Sequence, residues 1–265
     1  MTRHTPVELP EGYVEFFKNL ENWQNEESIR LKKNLAFEKK DLLRLLSANR
    51  KSLLEQGRIE VDREAYKDSY YRLLLFLKES RPDADTKIES MIKSLEQFNF
   101  NELLQPGMQI DIERAAETAD QHGLPRELFI FTLDHALRPY LRVAAEPYQE
   151  DLRDERFYWP LPNICPICGS KSYFSRLQSE DGQRIMFCEH CFSEWKVQYL
   201  ACVYCGHDRP GDINYLKVDN DESYRVYVCE KCKGYLKTYD ERSAGMTTDL
   251  FIANIETIYL DMLAQ

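Results

Sequence analysis

The sequence predicts an α+β protein: an N-terminal helical domain, two tandem small β modules built on four cysteines each, and a C-terminal helix. Three observations predict it. Apolar residues recur at helical spacing from about residue 10 to 150. All eight cysteines fall between Cys165 and Cys232, and each belongs to a Cys-x-x-Cys pair. After them, "TTDLFIANIETIYLDMLAQ" returns to helical periodicity. The expected units are 1–160 (helical), 161–199 and 200–242 (the two modules) and 243–265 (the last helix).

In the first unit, Tyr13, Phe16, Phe17, Leu20 and Trp23 follow the i, i+3, i+4, i+7 spacing of one helix face. Leu35, Leu42, Leu43 and Leu46 continue on a second helix, and Tyr66, Tyr70, Leu73, Leu74 and Leu77 make a third stripe. Gly123 stops a helix and Pro125 starts the next. That helix is apolar on most sides, through Leu128, Phe129, Phe131, Leu133 and Leu137, and so belongs at the centre of a bundle. Pro139 should kink or end it. His135 on the same helix reads as a satisfied core histidine, since no ligand partner stands at i+3 or i+4. "EDLRDERFYWPLPN" reads as a linker. In the final helix Asp249 is the expected N-cap, with Ile252, Ile255, Tyr259 and Met262 as its stripe.

The cysteine region repeats itself. "CPICG" at 165 matches "CVYCG" at 202, and "RIMFC" at 184 matches "RVYVC" at 225. Trp195 and Leu236 stand four residues after a second cysteine, Lys196 and Lys237 five after. In the first copy 19 residues separate the pairs, in the second 23. That length suits an antiparallel hairpin with a polar turn, bringing two knuckles face to face. Gly169 and Gly206, each after a second cysteine, permit the positive φ a tight knuckle tends to need. Confinement of every cysteine to such pairs points to metal ligation rather than disulfides. Four thiolates suit iron or zinc. Sequential sets, Cys165, Cys168, Cys188 and Cys191 on one ion and Cys202, Cys205, Cys229 and Cys232 on the other, are favoured over a cross-brace, because each copy is complete. His190 and His207 lie beside the knuckles but are not needed as ligands.

Composition excludes other classes. The net charge is −10, and between 163 and 240 ten Lys/Arg face eleven Asp/Glu. Two divalent ions in eight thiolates add further negative charge, so no nucleic-acid partner is expected. No apolar run approaches the roughly 20 residues of a membrane span. The N-terminal residues lack a signal-peptide core, and a cytoplasmic location without membrane insertion is expected. No G-x-S-x-G, P-loop or G-x-G-x-x-G occurs. A closed four-thiolate site has no open coordination position with which to activate water. A structural role, electron transfer and protein recognition remain.

"CPICGS", "GQRIMFCEHCFSEWKV", "CVYCG" and above all "CEKCKGYLKTYD" resemble the formate dehydrogenase accessory protein E family. The match is close over about residues 163–240, with "HGLPR" at 122–126 a weaker echo. The resemblance implies a helical domain joined to two rubredoxin-like modules, with two iron ions, one per four-cysteine site. It implies a non-enzymatic cytoplasmic factor needed for active molybdenum- or tungsten-dependent formate dehydrogenase, touching the immature catalytic subunit. It carries to the eight cysteines and suggests roles for Glu194, Trp195, Tyr235, Leu236 and Lys237. Glu194, Lys196 and Lys237 are the candidates for a partner-binding face. Phe192 and Tyr204 depart from the family pattern. The alternatives are a rubredoxin-type electron-transfer protein and a zinc-ribbon scaffold.

Overall fold

A computed structural model describes residues 9–33, 39, 41, 46, 50–56, 61–105, 107–218 and 221–264. Leu35, Leu42 and Leu43 lie outside them; Leu46 is described and buried. The helices of the N-terminal body are α1 (Tyr13–Lys32), α2 (Arg63–Ser80), α3 (Asp85–Ser94), α4 (Phe100–Leu103), α5 (Ile112–Gln121), α6 (Arg126–Ala145) and α7 (Gln149–Arg153). A two-stranded ribbon, β1 (Leu104–Gln105) with β2 (Gln109–Ile110), lies between α4 and α5. Asp62 and Asp111 cap α2 and α5 by accepting from the amides of Ala65 and Arg114, both at 2.9 Å.

Helix α6 packs against α1, α2 and α5, as its all-round apolar surface predicts. The Tyr66 hydroxyl donates to the Leu133 carbonyl at 2.7 Å and pins α2 to it. Pro139 does not end α6, which runs on to Ala145. The reason lies on α1. Proline has no N–H for the carbonyl of His135, four residues back. The side-chain amide of Gln24 donates to that oxygen at 3.1 Å and lies 3.0 Å from His135 Nδ1. Its own oxygen accepts from Arg142 at 2.6 Å. One buried glutamine thus supplies the donor that proline lacks, and His135 is a bonded core residue.

The cysteine region forms β3 (Phe174–Leu177), β4 (Arg184–Phe187), β5 (Glu194–Val197), β6 (Ile213–Val218), β7 (Asp221–Cys229) and β8 (Tyr235–Asp240). Each copy of the repeat is a three-stranded antiparallel unit. The units do not merely follow one another. They share one six-stranded sheet, in the order β5-β4-β3-β8-β7-β6. Its seam is parallel: β3 pairs β8 from Phe174↔Lys237 to Leu177↔Asp240. The buried hydroxyls of Ser175 and Thr238 meet there at 2.9 Å.

The chain closes with α8 (Glu241–Ala244), α9 (Leu250–Glu256) and α10 (Ile258–Ala264). Asp249 caps α9 as predicted, accepting from the Ile252 amide at 3.0 Å. The single final helix expected from the sequence is broken at Thr257. Buried Lys237 accounts for the break, since its ammonium donates to the carbonyls of Asn254 at 3.1 Å and Thr257 at 3.4 Å. The break resets the helical phase. Ile252, Ile255 and Tyr259 are buried, but Met262 is exposed and leaves the stripe. The stretch read as a linker is packed: Leu152, Phe157 and Trp159 join a core that runs from the helices to Cys165, Cys168, Cys188 and Cys191. Trp159 Nε1 donates to the Ile164 carbonyl at 2.7 Å.

Candidate metal centres

Each Cys-x-x-Cys forms the same knuckle. The amide of the residue after the second cysteine donates back to the carbonyl of the first. The bonds are Gly169 to Cys165 at 3.0 Å, Phe192 to Cys188 at 2.8 Å, Gly206 to Cys202 at 2.9 Å and Lys233 to Cys229 at 2.8 Å. The donors have φ of 79°, 61°, 69° and 58°. Positive φ is easy for the two glycines, which the sequence identifies. For Phe192 and Lys233 it is strained. At Phe192 contacts offset the strain: the Arg142 guanidinium lies 3.6 Å from the ring centroid, and the Phe251 ring packs at a tilt at 5.7 Å.

The knuckles face each other in sequential sets. The sulfurs of Cys165, Cys168, Cys188 and Cys191 lie within 4.8 Å of one another, as do those of Cys202, Cys205, Cys229 and Cys232. This grouping is the sequential one, not the cross-brace. Individual pairs lie at 3.5 Å (Cys165–Cys191 and Cys168–Cys188), 3.6 Å (Cys202–Cys232) and 3.8 Å (Cys205–Cys229). An ion about 2.3 Å from four thiolates in a tetrahedron separates them by roughly 3.8 Å. Both groups therefore fit one metal ion each.

The surroundings split the thiols of each group, raising some and lowering others. In the second group burial pushes Cys202 up to about 12. Cys229 is held down to about 7: burial raises it, but the amides of Cys232 and Lys231 and neighbouring thiols outweigh burial. In the first group burial holds Cys165 and Cys188 well above the ordinary thiol value. Hydrogen bonds from Cys165, Cys188 and Cys191 hold Cys168 well below it.

The histidines are engaged elsewhere. His190 Nδ1 lies 2.8 Å from Ser170 Oγ, and His207 Nε2 lies 2.7 Å from Asp212. Serines approach the first group instead, Ser193 Oγ at 3.1 Å from Cys191 Sγ and Ser170 Oγ at 3.4 Å from Cys168 Sγ. Sequence reading overlooked them, although each stands two residues after a cysteine. It also overlooked Arg138, which reaches from α6 to the Glu189 carbonyl at 3.5 Å. No spacing rule connects residues so far apart in the chain.

The repeat positions are mostly packing. Trp195 and Leu236 are buried. Trp195 Nε1 donates to the Pro162 carbonyl at 3.0 Å. Glu194 is half-buried in an ion network with Arg176 at 2.7 Å and Arg153 at 3.6 Å. Lys196 is half-exposed on β5. Lys237 is 1 % exposed and paired with Asp261 at 2.6 Å. Its placement on a partner-binding face is therefore wrong: its charge is spent inside, on the break between α9 and α10.

No family model matches the chain. It is 28% identical over 204 residues to the "Protein FdhE homolog" of Klebsiella pneumoniae subsp. pneumoniae, a match covering 74% of this chain and 62% of that protein. It is 26% identical over 204 residues to "Protein FdhE" of Salmonella paratyphi A, with the same coverage. The matched region thus spans less than two thirds of the curated relatives' length. The fold is similar to that in the crystal structure of the FdhE protein from Pseudomonas aeruginosa, with a TM-score of 0.57 at 19% identity, over 96% of this chain and 85% of that one. The likeness to the curated relatives bears out the resemblance to the formate dehydrogenase accessory protein E family, and the solved structure bears out the fold.

Proposed function

We propose that this protein is a non-enzymatic, cytoplasmic accessory factor for formate dehydrogenase, holding one iron ion in each four-cysteine group and docking the immature catalytic subunit. The observation that carries the reading is the pair of closed four-sulfur groups in one sheet, the first sharing its core with a helical body. The likeness to relatives named FdhE supports formate dehydrogenase as the client. A metal bound by four thiolates lends rigidity or a one-electron couple, and it leaves no position for a substrate. Among the described residues no helix is long and apolar enough to cross a membrane. Glu194 and Lys196 on β5 remain the candidates for the client face.

A deletion strain should contain formate dehydrogenase polypeptide with little formate-oxidising activity, and the purified protein alone should oxidise no formate. Normal activity in that strain would overturn the reading. Metal analysis should give two iron per chain from anaerobic preparations; two zinc would replace the iron assignment and leave the docking role. A second reading, electron transfer of rubredoxin type, is favoured by the exposure of Cys205 and Cys232. It requires a reversible one-electron couple in the purified protein.

A further inference from the structure

Arg184 opens β4 of the first unit, four residues before Cys188. Its counterpart in the repeat, Arg225, stands four residues before Cys229 and is paired with Asp240 at 2.6 Å. Arg184 has no such partner. It is 2 % exposed, and among the described residues no carboxylate forms an ion pair with it. Its Nε and Nη2 are buried without a hydrogen-bond partner. Rings flank the guanidinium, with the centroid of Tyr227 at 4.0 Å and that of Tyr199 at 5.3 Å. A cation this deeply buried is retained when an opposite charge lies close by, and stacking on rings replaces only part of its lost hydration.

An opposite charge arises once the second cluster is filled. Arg184, Cys202 and Cys229 line the same small cavity of ≈ 20 Å³, together with Tyr199 and Tyr227. That space holds about one water, which brings hydrogen bonds and no charge. A divalent ion among four thiolates leaves the cluster doubly negative; a trivalent one leaves it singly negative. We propose that Arg184 is the counter-charge of the second metal cluster, supplied across the sheet by the first unit. The inference rests on the reading that this cluster holds a metal. It makes the first unit a contributor to the metal affinity of the second. It also explains why the repeat is broken here: Arg225 already has Asp240, while Arg184 shares a cavity with two cysteines of the other unit.

The test uses the full chain loaded with zinc, as wild type, R184M and R184K. Zinc content is measured first. Fewer than two zinc per wild-type chain sinks the metal reading itself, separately from the role of Arg184. Zinc loss to a chromogenic chelator is then followed, with alkylation of each cysteine read by peptide mass spectrometry to show which cluster has opened. The second cluster of R184M should lose zinc about 10–100-fold faster than in wild type, the usual cost of removing a group that supports metal ligands. The first cluster should be unchanged, and R184K should stay near wild type. Unchanged release in R184M overturns the proposal. So does equal acceleration at both clusters, which marks a general packing defect, or an R184K as fast as R184M, which marks shape rather than charge. If R184M does not fold, R184Q, polar and uncharged, takes its place with the same outcomes.

Discussion

In the first cluster every cysteine is at most 1 % exposed, whereas in the second Cys205 and Cys232 are exposed. The spacing rule, the knuckle hydrogen bonds and the positive φ of the residue after the second cysteine are common to both. The difference lies in what is built around them. The amides of Leu53 and Leu54 donate to the carbonyls of Pro166 and Ile167, at 2.9 and 3.0 Å, inside the first knuckle. A Cβ at Gly169 would lie 2.8 Å from Ser52 Oγ, while one at Gly206 would meet nothing within 4 Å. One motif thus serves as the floor of a helical body in one place and as open surface in another. The metal chemistry of a motif is local, and its accessibility is a property of its neighbours.

Four perturbations test this contrast. The largest effect is expected from Cys188→Ala set against Cys232→Ala. Ion binding supplies much of the folding free energy of such modules, about 10–16 kcal/mol in isolated peptides. Cys188 lies in the core shared with the helices, so its loss should unfold the body as well. Cys232→Ala should lose one metal and keep the helical circular dichroism. Equal loss of helicity in both variants would remove the distinction between floor and surface.

Next comes Lys237→Met, which keeps volume but strands the carbonyls of Asn254 and Thr257. Denaturant unfolding should show a loss of about 3 kcal/mol, the lower end for breaking a buried ion pair, because Asp261 stays partly hydrated. A neutral result would mean the C-terminal helices hold the second unit without it.

A third test is pH. Burial, then Asp249, raise the Glu21 carboxyl to about 7 against the pull of Arg142. Its folded value lies above its unfolded value of about 4.5, so the folded state binds more protons between those pH values. Its stabilising contribution is present below about 4.5 and is lost as pH rises through about 7. Glu21→Gln should therefore melt higher than wild type at pH 8, by about 2 kcal/mol after allowing for nearby solvent, and the gap should shrink toward pH 6. A gap independent of pH would show that Glu21 is not protonated in the fold.

The smallest effect separates the two strained knuckles. Lys233 is exposed, and its ion pair with Glu230 at 2.7 Å is solvent-facing. Lys233→Gly should stabilise by about 1 kcal/mol through relief of positive φ. Phe192→Gly should not, because it forfeits the Arg142 and Phe251 contacts. Thermal melts that rank the two the other way would show that the first cluster draws nothing from that stack.

What the sequence made legible was whatever is encoded at short range. The eight cysteines, the stripe from Tyr66 to Leu77 and the Asp249 cap follow from spacings within a few residues, and all three appear. What it hid depends on partners distant in the chain. Pro139 reads as a breaker until Gln24 supplies the missing donor across 111 residues to His135. Lys237 reads as surface by residue type, yet its partners lie on helices that the sheet covers. The repeat suggested two tandem modules and said nothing of a shared sheet, because similarity between copies reveals each unit and not the seam between them.

That parallel seam has a consequence for how the chain leaves the ribosome. Strand β3 is complete at Leu177, but its neighbour β8 is complete only at Asp240. About 60 residues must be added in between, roughly 3–12 s at ordinary rates of synthesis. For that interval the first unit can close its own hairpin and its own metal site while its β3 edge stays bare. An unpaired strand edge is a template for other chains. A nascent or truncated polypeptide ending before Tyr235 would expose it permanently, and association of such fragments through residues 174–177 is the failure this topology invites.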